Sequence, residues 1–326
     1  MKTLLTRSCQ GENDLEAIAE LFQACEIVDR LNEWVSISDL RQEFNAPDLD
    51  KERDIRIWED GNGKLIGFGK LSIKESIDGY LSFRVHPTLR GEGIEQKIIS
   101  WGEKRMREVA TNSSLSVLKL RSATRSDKIE RIALLESCGF TPKRYFFEME
   151  RSLTEPIPKP ELPVGFTLHS HCSPQFSGKV GQQQFLEAWV EAYNQTFIDH
   201  WNYHEVTVEQ VEYIVSNPNY RPDLTSVAID HNGKFAAFCY CCTFPEENEY
   251  KGRKEGWVDT LGTRRGFRKR GLGKAMLLSG MQRLRDVGMD KALLGVDAEN
   301  PSGANRLYES VGFRKVHTNI VYSKEF

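Results

Sequence analysis

The chain has 326 residues with 44 basic and 47 acidic side chains, a formal net charge of -3. This balance argues against a nucleic-acid-binding protein, which needs an excess of basic charge. No run approaches the ~18 apolar residues that cross a bilayer, and Met1 to Leu5 lacks the apolar core of a secretory signal. We therefore expect a cytoplasmic protein with no membrane segment and no nucleic-acid partner, built from about two domains.

The first half of the chain contains a strand, turn and helix pattern. Asn62-Gly63-Lys64 is typical of a hairpin turn between two strands. Residues 85–95 predict a strand, a glycine-containing turn and the start of a helix. A strand is predicted over Leu115 to Leu120, and Leu134 to Phe140 predicts a helix that ends in a Gly-Phe turn.

A proline-rich stretch divides the chain. Four prolines alternate with other residues between Thr154 and Pro163, which favours an extended and fairly stiff connector. The predicted domains are therefore 1–153 and 165–326, joined by a linker at 154–164.

The second half repeats the first. Asn232-Gly233-Lys234 precedes an apolar strand as residues 62–64 do, and residues 257–273 again predict a strand, a glycine turn and a helix start. Ala292 to Val296 is a short apolar strand, and Leu307 to Phe313 matches the earlier Gly-Phe segment. The apolar strand that follows Asn232-Gly233-Lys234 contains Cys239, Cys241 and Cys242. We expect these cysteines to be buried and reduced rather than to bind a metal. The chain therefore contains two copies of one sequence pattern.

The turn Arg268-Lys269-Arg270-Gly271-Leu272-Gly273 is suited to a pyrophosphate. Glycines at a strand-to-helix turn let backbone N–H groups approach an anion, and the helix dipole favours its charge. A Walker loop is excluded because Leu272 follows Gly271, and a dinucleotide fingerprint because Met276 replaces its third small residue. The alternatives are a solvated turn and, for the basic run over residues 264–270, a localisation or nucleic-acid patch.

The Arg-x-x-Gly-x-Gly pattern and the segment from Asn300 to Phe313 together resemble the GNAT acetyltransferase superfamily. The resemblance implies an α/β (α+β) fold with two tandem GNAT-like domains, each a mixed, mostly antiparallel twisted sheet flanked by helices. It also implies acetyl-coenzyme A (acetyl-CoA) as cofactor. The tandem layout is similar to that of mycothiol synthase-like proteins.

The resemblance implies cofactor-binding residues at the strand end, the turn, the helix start and the closing segment. These are Leu261, Gly262, Thr263, Arg268, Lys269, Arg270, Gly271, Leu272, Gly273, Lys274 and Asn300. The backbone around Gly262 is expected to bind the pantetheine arm and to polarise the thioester carbonyl.

Two residues are the catalytic candidates. Acetyl transfer to an amine expels a thiolate, and Tyr308 can donate a proton to it, since a phenol with a pKa near ~10 is protonated at neutral pH. The attacking amine must be neutral, and Asp259 is the candidate base because Trp257, Asp259 and Leu261 share one face of a regular strand. The alternatives are a Tyr308 that only packs in the core and an Asp259 that only pairs with an arginine.

Acceptor recognition is expected in the segment from Tyr193 to His204. It mixes aromatic, acidic and imidazole groups, as small-molecule sites often do. Asp199, His200 and Trp201 are the candidate substrate-binding residues, with Asp199 placed to hold an ammonium. The alternative is a helix-helix turn with Phe197 and Trp201 in the core.

The copies differ at chemical positions. Glu95 stands where the second copy has Gly273, and Leu135 stands where it has Tyr308. We therefore expect a degenerate first domain and a second domain that transfers acetyl from acetyl-CoA to a small-molecule primary amine. The alternative is a non-catalytic acyl-CoA sensor or partner-binding module.

Overall fold

The computed structural model describes residues 4–75, 77–110, 117–217 and 219–326. The chain forms two compact units. The N-terminal unit is built from residues 1–145 and 318–326, and the C-terminal unit from residues 146–317.

The first half of the chain supplies six strands and five helices within the described residues. They are β1 (Leu5–Ser8), α1 (Leu15–Asp29), α2 (Ile37–Phe44), α3 (Lys51–Asp54), β2 (Ile55–Glu59), β3 (Leu65–Lys74), β4 (Asp78–Val85), α4 (Ile94–Ala110), β5 (Lys119–Arg125), α5 (Ile129–Ser137) and β6 (Thr141–Ser152).

The second half supplies the same kinds of element in a similar order. They are β7 (Phe166–Ser170), α6 (Gly178–Phe197), α7 (Val208–Val215), β8 (Thr225–Asp230), β9 (Phe235–Thr243), α8 (Pro245–Lys251), β10 (Glu255–Thr263), α9 (Leu272–Asp286), β11 (Lys291–Asp297), α10 (Ala304–Ser310) and β12 (Arg314–Glu325).

The sheet of the N-terminal unit runs antiparallel from β1 to β4. β5 then joins β4 in parallel, and residues 319–325 of β12 pair antiparallel with β5. The apolar face of α4 covers this sheet, with Ile98 and Met106 fully buried beside Leu81 and Leu120.

The sheet of the C-terminal unit runs antiparallel from β7 to β10. β11 joins β10 in parallel, and residues 146–152 of β6 pair antiparallel with β11. Leu277, Met281 and Leu284 of α9 are fully buried in the core of this unit, as their helical spacing predicts. Both sheets are mixed and mostly antiparallel, which confirms the predicted fold class.

The compact units and the sequence repeats have different limits. Each repeat ends in a long strand, and that strand completes the sheet of the unit built mostly from the other repeat. The linker is also engaged, because Ile157 and Leu162 pack on the C-terminal core and the Arg151 Nη2 donates to the Pro156 carbonyl over 2.9 Å.

One predicted strand begins later than expected. The strand expected at Leu115 to Leu120 is β5, which starts at Lys119 and continues to Arg125. Residues 115 and 116 lie outside the described part of the chain. The expected strand at Ala292 to Val296 is β11, with one more residue at each end.

Candidate active site

The glycine turn between β10 and α9, residues 268–273, has the backbone geometry expected of an anion site, and we call it the anion turn. Lys269 and Gly271 have left-handed φ angles of 62° and 90°, which lets the chain turn sharply into α9 at Leu272. The first turn of α9 contains no acidic residue. The dipole of this 15-residue helix therefore meets no side-chain counter-charge of its own.

The equivalent turn in the first repeat, between β4 and α4, is occupied by a carboxylate of its own chain. Glu95, in the first turn of α4, folds back so that its Oε1 accepts the backbone N–H of Gly91 over 3.2 Å. The side chain is buried, and its Oε2 has no hydrogen-bond partner among the described residues. A carboxylate of the chain thus occupies the anion position, while in the second repeat Gly273 leaves that position open. The residues present in the C-terminal unit fit a pyrophosphate.

The basic run divides into bracing and exposed side chains. Arg264 is buried, and its Nη2 donates to Glu191 Oε1 over 2.6 Å. Arg268 donates from Nε to the Thr263 carbonyl over 3.1 Å and from Nη2 to the Thr196 carbonyl over 2.9 Å. These two arginines fix the turn to β10 and α6. The side chain of Arg268 therefore positions the turn through hydrogen bonds to backbone carbonyls.

The remaining basic side chains are available to phosphates. Lys269, Arg270 and Lys274 are exposed, and no ion pair joins them to any residue in the described ranges. Arg270 lies over the Phe267 ring, 5.6 Å from its centroid. Three of the five basic side chains of the run, those of Arg264, Arg265 and Arg268, make intramolecular contacts, which leaves Lys269 and Arg270 of the run exposed.

A β-bulge places Asp259. In the pairing of β10 with β9, Val258 lies opposite Cys241 and Thr260 opposite Tyr240, so Asp259 is an extra residue with no partner. β4 pairs with β3 without any such shift. The first repeat therefore lacks a counterpart of Asp259.

The bulge corrects the expected strand faces. Val258 and Leu261 both contact the C-terminal core although they are three residues apart, which a regular strand forbids. Asp259 instead lines a cavity, so Asp259 and Leu261 do not share a face. The expectation of regular alternation was wrong because a bulge reverses the alternation beyond it.

The environment of Asp259 suits a base. The Asp259 side chain is exposed to solvent at the cavity that it lines. Partial desolvation by the protein groups near its carboxylate raises the pKa of Asp259, and the hydrogen bond from Thr260 Oγ1 to its Oδ2 over 2.7 Å opposes the rise only in part. Asp259 makes no ion pair with an arginine among the described residues.

β10 and β11 separate beside this bulge. Their parallel pairing covers Glu255 to Trp257 on β10 and Lys291 to Leu293 on β11. The later residues of β10, including Leu261, Gly262 and Thr263, therefore have one strand edge free for a ligand. Gly262 also has a packing reason to be glycine, since a Cβ there would overlap the Phe238 ring.

Tyr308 lies on α10 within the C-terminal core, with its ring 6.1 Å from that of Phe313. Burial, and secondarily the Cys239 thiol, raise the pKa of Tyr308, so the phenol stays protonated at neutral pH. Its hydroxyl makes no hydrogen bond to any described residue. Arg151 fixes the following turn by donating from Nε to the Val311 carbonyl over 2.6 Å.

These elements meet at Gly273. A Cβ on Gly273 would lie 3.5 Å from Thr263 Oγ1 and 3.5 Å from Leu307 Cδ2, the residue before Tyr308. Cys239, which influences Tyr308, lies opposite Leu261 in the sheet. The strand edge, the anion turn and the tyrosine are thus neighbours. Asn300 lies in the turn before α10, where its Oδ1 accepts the backbone N–H of Ser302 over 2.9 Å.

The acceptor residues expected from sequence lie elsewhere. Asp199 accepts from Arg265 Nε over 2.8 Å and lies 3.8 Å from Arg268 Nη1, so these guanidinium groups already neutralise it. His200 packs against Phe197, and burial lowers the pKa of its imidazole. Trp201 packs near Phe146 at 6.2 Å. The three expected residues do not line the cavity beside Asp259, and Asp199 no longer suits an acceptor ammonium.

A cavity of about 190 Å³ opens beside Asp259, between α6, α7 and the strands. Its aromatic lining consists of Phe185, Trp189, Tyr193, Tyr220 and Tyr240. Only Tyr193 falls in the segment expected to bind the acceptor. Tyr240 could have been found from the two-residue period of β9, because Cys239 and Cys241 on either side of it are fully buried in the core.

The cysteines are all free. Cys239 and Cys241 are fully buried with sulfur atoms 3.7 Å apart, and Cys242 is half-buried. Within the described ranges, no group of three or more histidine, cysteine or acidic side chains is arranged to hold a metal ion.

Comparison with known proteins identifies the class. The model of the acetyltransferase (GNAT) family matches residues 15–140 and 186–313. The chain is 29% identical over 261 residues to a mycothiol acetyltransferase of Thermobispora bispora, covering 80% of each chain. It is 25% identical over 320 residues to that of Nocardiopsis dassonvillei, covering 94% of this chain and 91% of the relative.

Two solved structures share the fold over 99% of this chain. A GCN5-related N-acetyltransferase from Sphaerobacter thermophilus has a TM-score of 0.75 at 23% identity, with 95% of that chain covered. A tandem GNAT protein from the clavulanic acid biosynthesis pathway has a TM-score of 0.75 at 12% identity, with 98% covered.

The fold and the family match define a coenzyme A-dependent acyltransferase. The chain belongs to the acetyltransferase (GNAT) family, with one family match in each repeat. It is a tandem GNAT protein of the mycothiol synthase-like kind, an N-acetyltransferase that uses acetyl-CoA. Among the described residues, no helix is both long and apolar enough to span a bilayer.

Proposed function

We propose that the C-terminal unit transfers the acetyl group of acetyl-CoA to the primary amine of a small molecule by direct attack. The observation that carries this proposal is the meeting of the β10 edge, the anion turn and α10 around Gly273. Acetyl-CoA supplies the activated acetyl thioester. The chain supplies the anion site, a base and a proton donor.

Asp259 would accept the proton that the amine must lose. An alkyl ammonium has a pKa near ~10, and an ordinary aspartate is too weak a base to compete for its proton. The raised pKa of Asp259 narrows this gap, and its place in the cavity wall allows contact with the acceptor. The ammonium first gives one proton to this carboxylate, which releases it to solvent through the cavity, and the carboxylate then accepts the second proton from the nitrogen as the C–N bond forms.

Tyr308 would donate a proton to the sulfur as the C–S bond breaks. Its hydroxyl makes no hydrogen bond within the described structure and therefore has its proton available. The raised pKa of Tyr308 keeps it protonated but makes full transfer to a thiolate of pKa about 8.5 unfavourable. Its contribution is therefore largest while the negative charge on sulfur is developing.

The asymmetry between repeats supports catalysis in the C-terminal unit. The N-terminal unit has Glu95 in the anion position, Leu135 in place of Tyr308 and no bulge residue equivalent to Asp259. Each difference removes one part of the proposed mechanism. The N-terminal unit would then serve structure rather than turnover.

The test is an assay of coenzyme A release and acetylated product with a panel of primary amines, run beside calorimetric binding of coenzyme A. The proposal expects product formation and one cofactor site. A sensor or partner-binding module would bind coenzyme A tightly and release no thiol above the uncatalysed rate with any amine.

A further inference from the structure

The cavity beside Asp259 has one charged group. Its lining includes a single carboxylate, Asp259, and no lysine, arginine or histidine. An acceptor that carries its own negative charge would find no counter-ion there. An acceptor that carries an ammonium finds one at the cavity wall.

Half of the other polar side chains that line the cavity are already paired. The Tyr220 hydroxyl lies 2.8 Å from His171 Nδ1 and 2.9 Å from Thr225 Oγ1. Thr260 donates its hydroxyl to Asp259. A polyhydroxylated acceptor would therefore bury more hydroxyl groups than the cavity has open partners for, and would lose hydrogen bonds that it makes with water.

Within the described part of the chain, three polar groups of the lining are open, namely the Tyr193 and Tyr240 hydroxyls and the buried Trp189 Nε1. The Tyr193 and Tyr240 hydroxyls make no hydrogen bond within the described residues, and both tyrosines are close enough to feel the Asp259 charge. They can accept from the N–H groups of an ammonium held by the carboxylate. The polar part of the acceptor thus belongs at this end of the cavity.

The rest of the cavity is apolar and small. Leu186 on α6 and Val211 and Val215 on α7 face the aromatic side chains. The volume of about 190 Å³ is a little larger than the ~150 Å³ cavity that holds benzene in an engineered protein core. It accommodates one ring or one branched alkyl group with a short arm.

We propose that the acceptor is a compact apolar primary amine, an arylalkylamine or branched alkylamine whose ammonium lies at Asp259 and whose apolar body fills the α6–α7 cavity. This inference rests on the proposed function of the same site. It adds the chemical class of the substrate.

The experiment compares four amines with acetyl-CoA: 2-phenylethylamine, 3-methylbutylamine, glucosamine and aspartate. The first two should have a kcat/KM at least about tenfold above the others, the discrimination expected from apolar burial and unpaired polar groups. Val215→Trp, which fills the cavity from a half-buried position, should lower kcat/KM for 2-phenylethylamine but not for propylamine. Val180→Trp, at an exposed position on α6, is the matched control and should change neither.

The outcomes separate the two proposals. A preference for glucosamine or aspartate, or an equal effect of Val215→Trp on 2-phenylethylamine and propylamine, would overturn the acceptor class while leaving acetyl transfer intact. If no amine is acetylated, calorimetry with 2-phenylethylamine decides. Binding that Val215→Trp abolishes would retain the ligand class and reject catalysis, and absence of binding would reject the ligand class as well.

Discussion

Glu95 and Gly273 hold the same position in the two repeats, each being the second residue of the helix that follows the glycine turn. In the first repeat the carboxylate satisfies the turn's Gly91 N–H from within the chain. In the second, the missing side chain leaves the turn open. We therefore expect this one residue to decide whether the turn is occupied by its own chain or is open to a ligand.

Gly273→Glu should therefore close the cofactor site. A glutamate there can fold back onto the turn as Glu95 does, and its charge repels the pyrophosphate. Loss of two charge-assisted hydrogen bonds at about 1.5–3 kcal/mol each predicts at least ~100-fold weaker coenzyme A binding by calorimetry. Unchanged affinity would remove the turn from the cofactor site.

Two controls separate charge from bulk in this experiment. Gly273→Ala places only a Cβ at ordinary contact distances of 3.5 Å, so it should retain most of the affinity. Gly266→Glu adds the same charge at an exposed place with open space around its Cβ, and should weaken binding far less than Gly273→Glu.

The same relationship sets the stoichiometry. Because Glu95 occupies the N-terminal turn, one coenzyme A should bind per chain, and Gly273→Glu should reduce the count to none. Calorimetric titration measures both numbers. Two equivalent sites in the wild-type protein would show that Glu95 moves aside for a ligand.

Tyr308→Phe should separate cofactor binding from turnover. The ring contact with Phe313 persists and only the hydroxyl is lost, so coenzyme A affinity should hold while kcat falls about 10²-fold or more. The control is Tyr250→Phe on α8, an exposed position, which should leave the rate unchanged. A wild-type rate in Tyr308→Phe on any productive acceptor would leave Tyr308 a purely structural role.

Asp259→Asn should slow turnover and stabilise the protein at neutral pH. Partial desolvation raises the pKa of Asp259 in the folded state above its ordinary value of 3.8, so the folded state binds this proton more tightly than the unfolded state. The associated stability is complete below pH 3.8 and is lost as pH rises through the folded-state pKa. The neutral Asn variant avoids this loss.

Thermal unfolding across pH measures the effect. The gain from Asp259→Asn should be present at neutral pH and vanish in acid. Asp223→Asn is the matched control of opposite sign, because the hydrogen bond from Arg221 lowers the pKa of Asp223. An Asp259→Asn variant less stable than wild type at neutral pH would contradict the assigned environment.

The turn between β10 and α9 was predictable from sequence because its geometry is local. Gly271, which adopts a left-handed φ angle, lies directly before the helix that starts at Leu272. The fold class followed from the same segments. The meeting of the turn with Leu307 depends on contacts more than thirty residues apart, and only the family resemblance indicated it.

The residues of the proposed acceptor cavity could not be predicted in the same way. Asp199 has the right chemistry in the right segment, but Arg265 is 66 residues away in sequence and pairs with it in space. The bulge at Asp259 is equally hidden, because one extra residue in β10 has no signature apart from its partner strand. Local sequence patterns do not indicate which residue or strand, distant in sequence, a side chain contacts in the folded protein.

Each of the strands β6 and β12 completes the sheet of the unit built mostly from the other repeat, and this exchange has a consequence for biosynthesis. During translation β5 is made nearly two hundred residues before residues 319–325, the part of β12 that pairs with it. In contrast, β6 has already been made when its partner β11 is synthesised. The C-terminal unit can thus close its sheet first although it is translated second. Until residues 319–325 have been synthesised, the edge of β5 that faces β12 is unpaired. During that time the edge is open to pairing with another chain, and the time itself depends on the speed of translation.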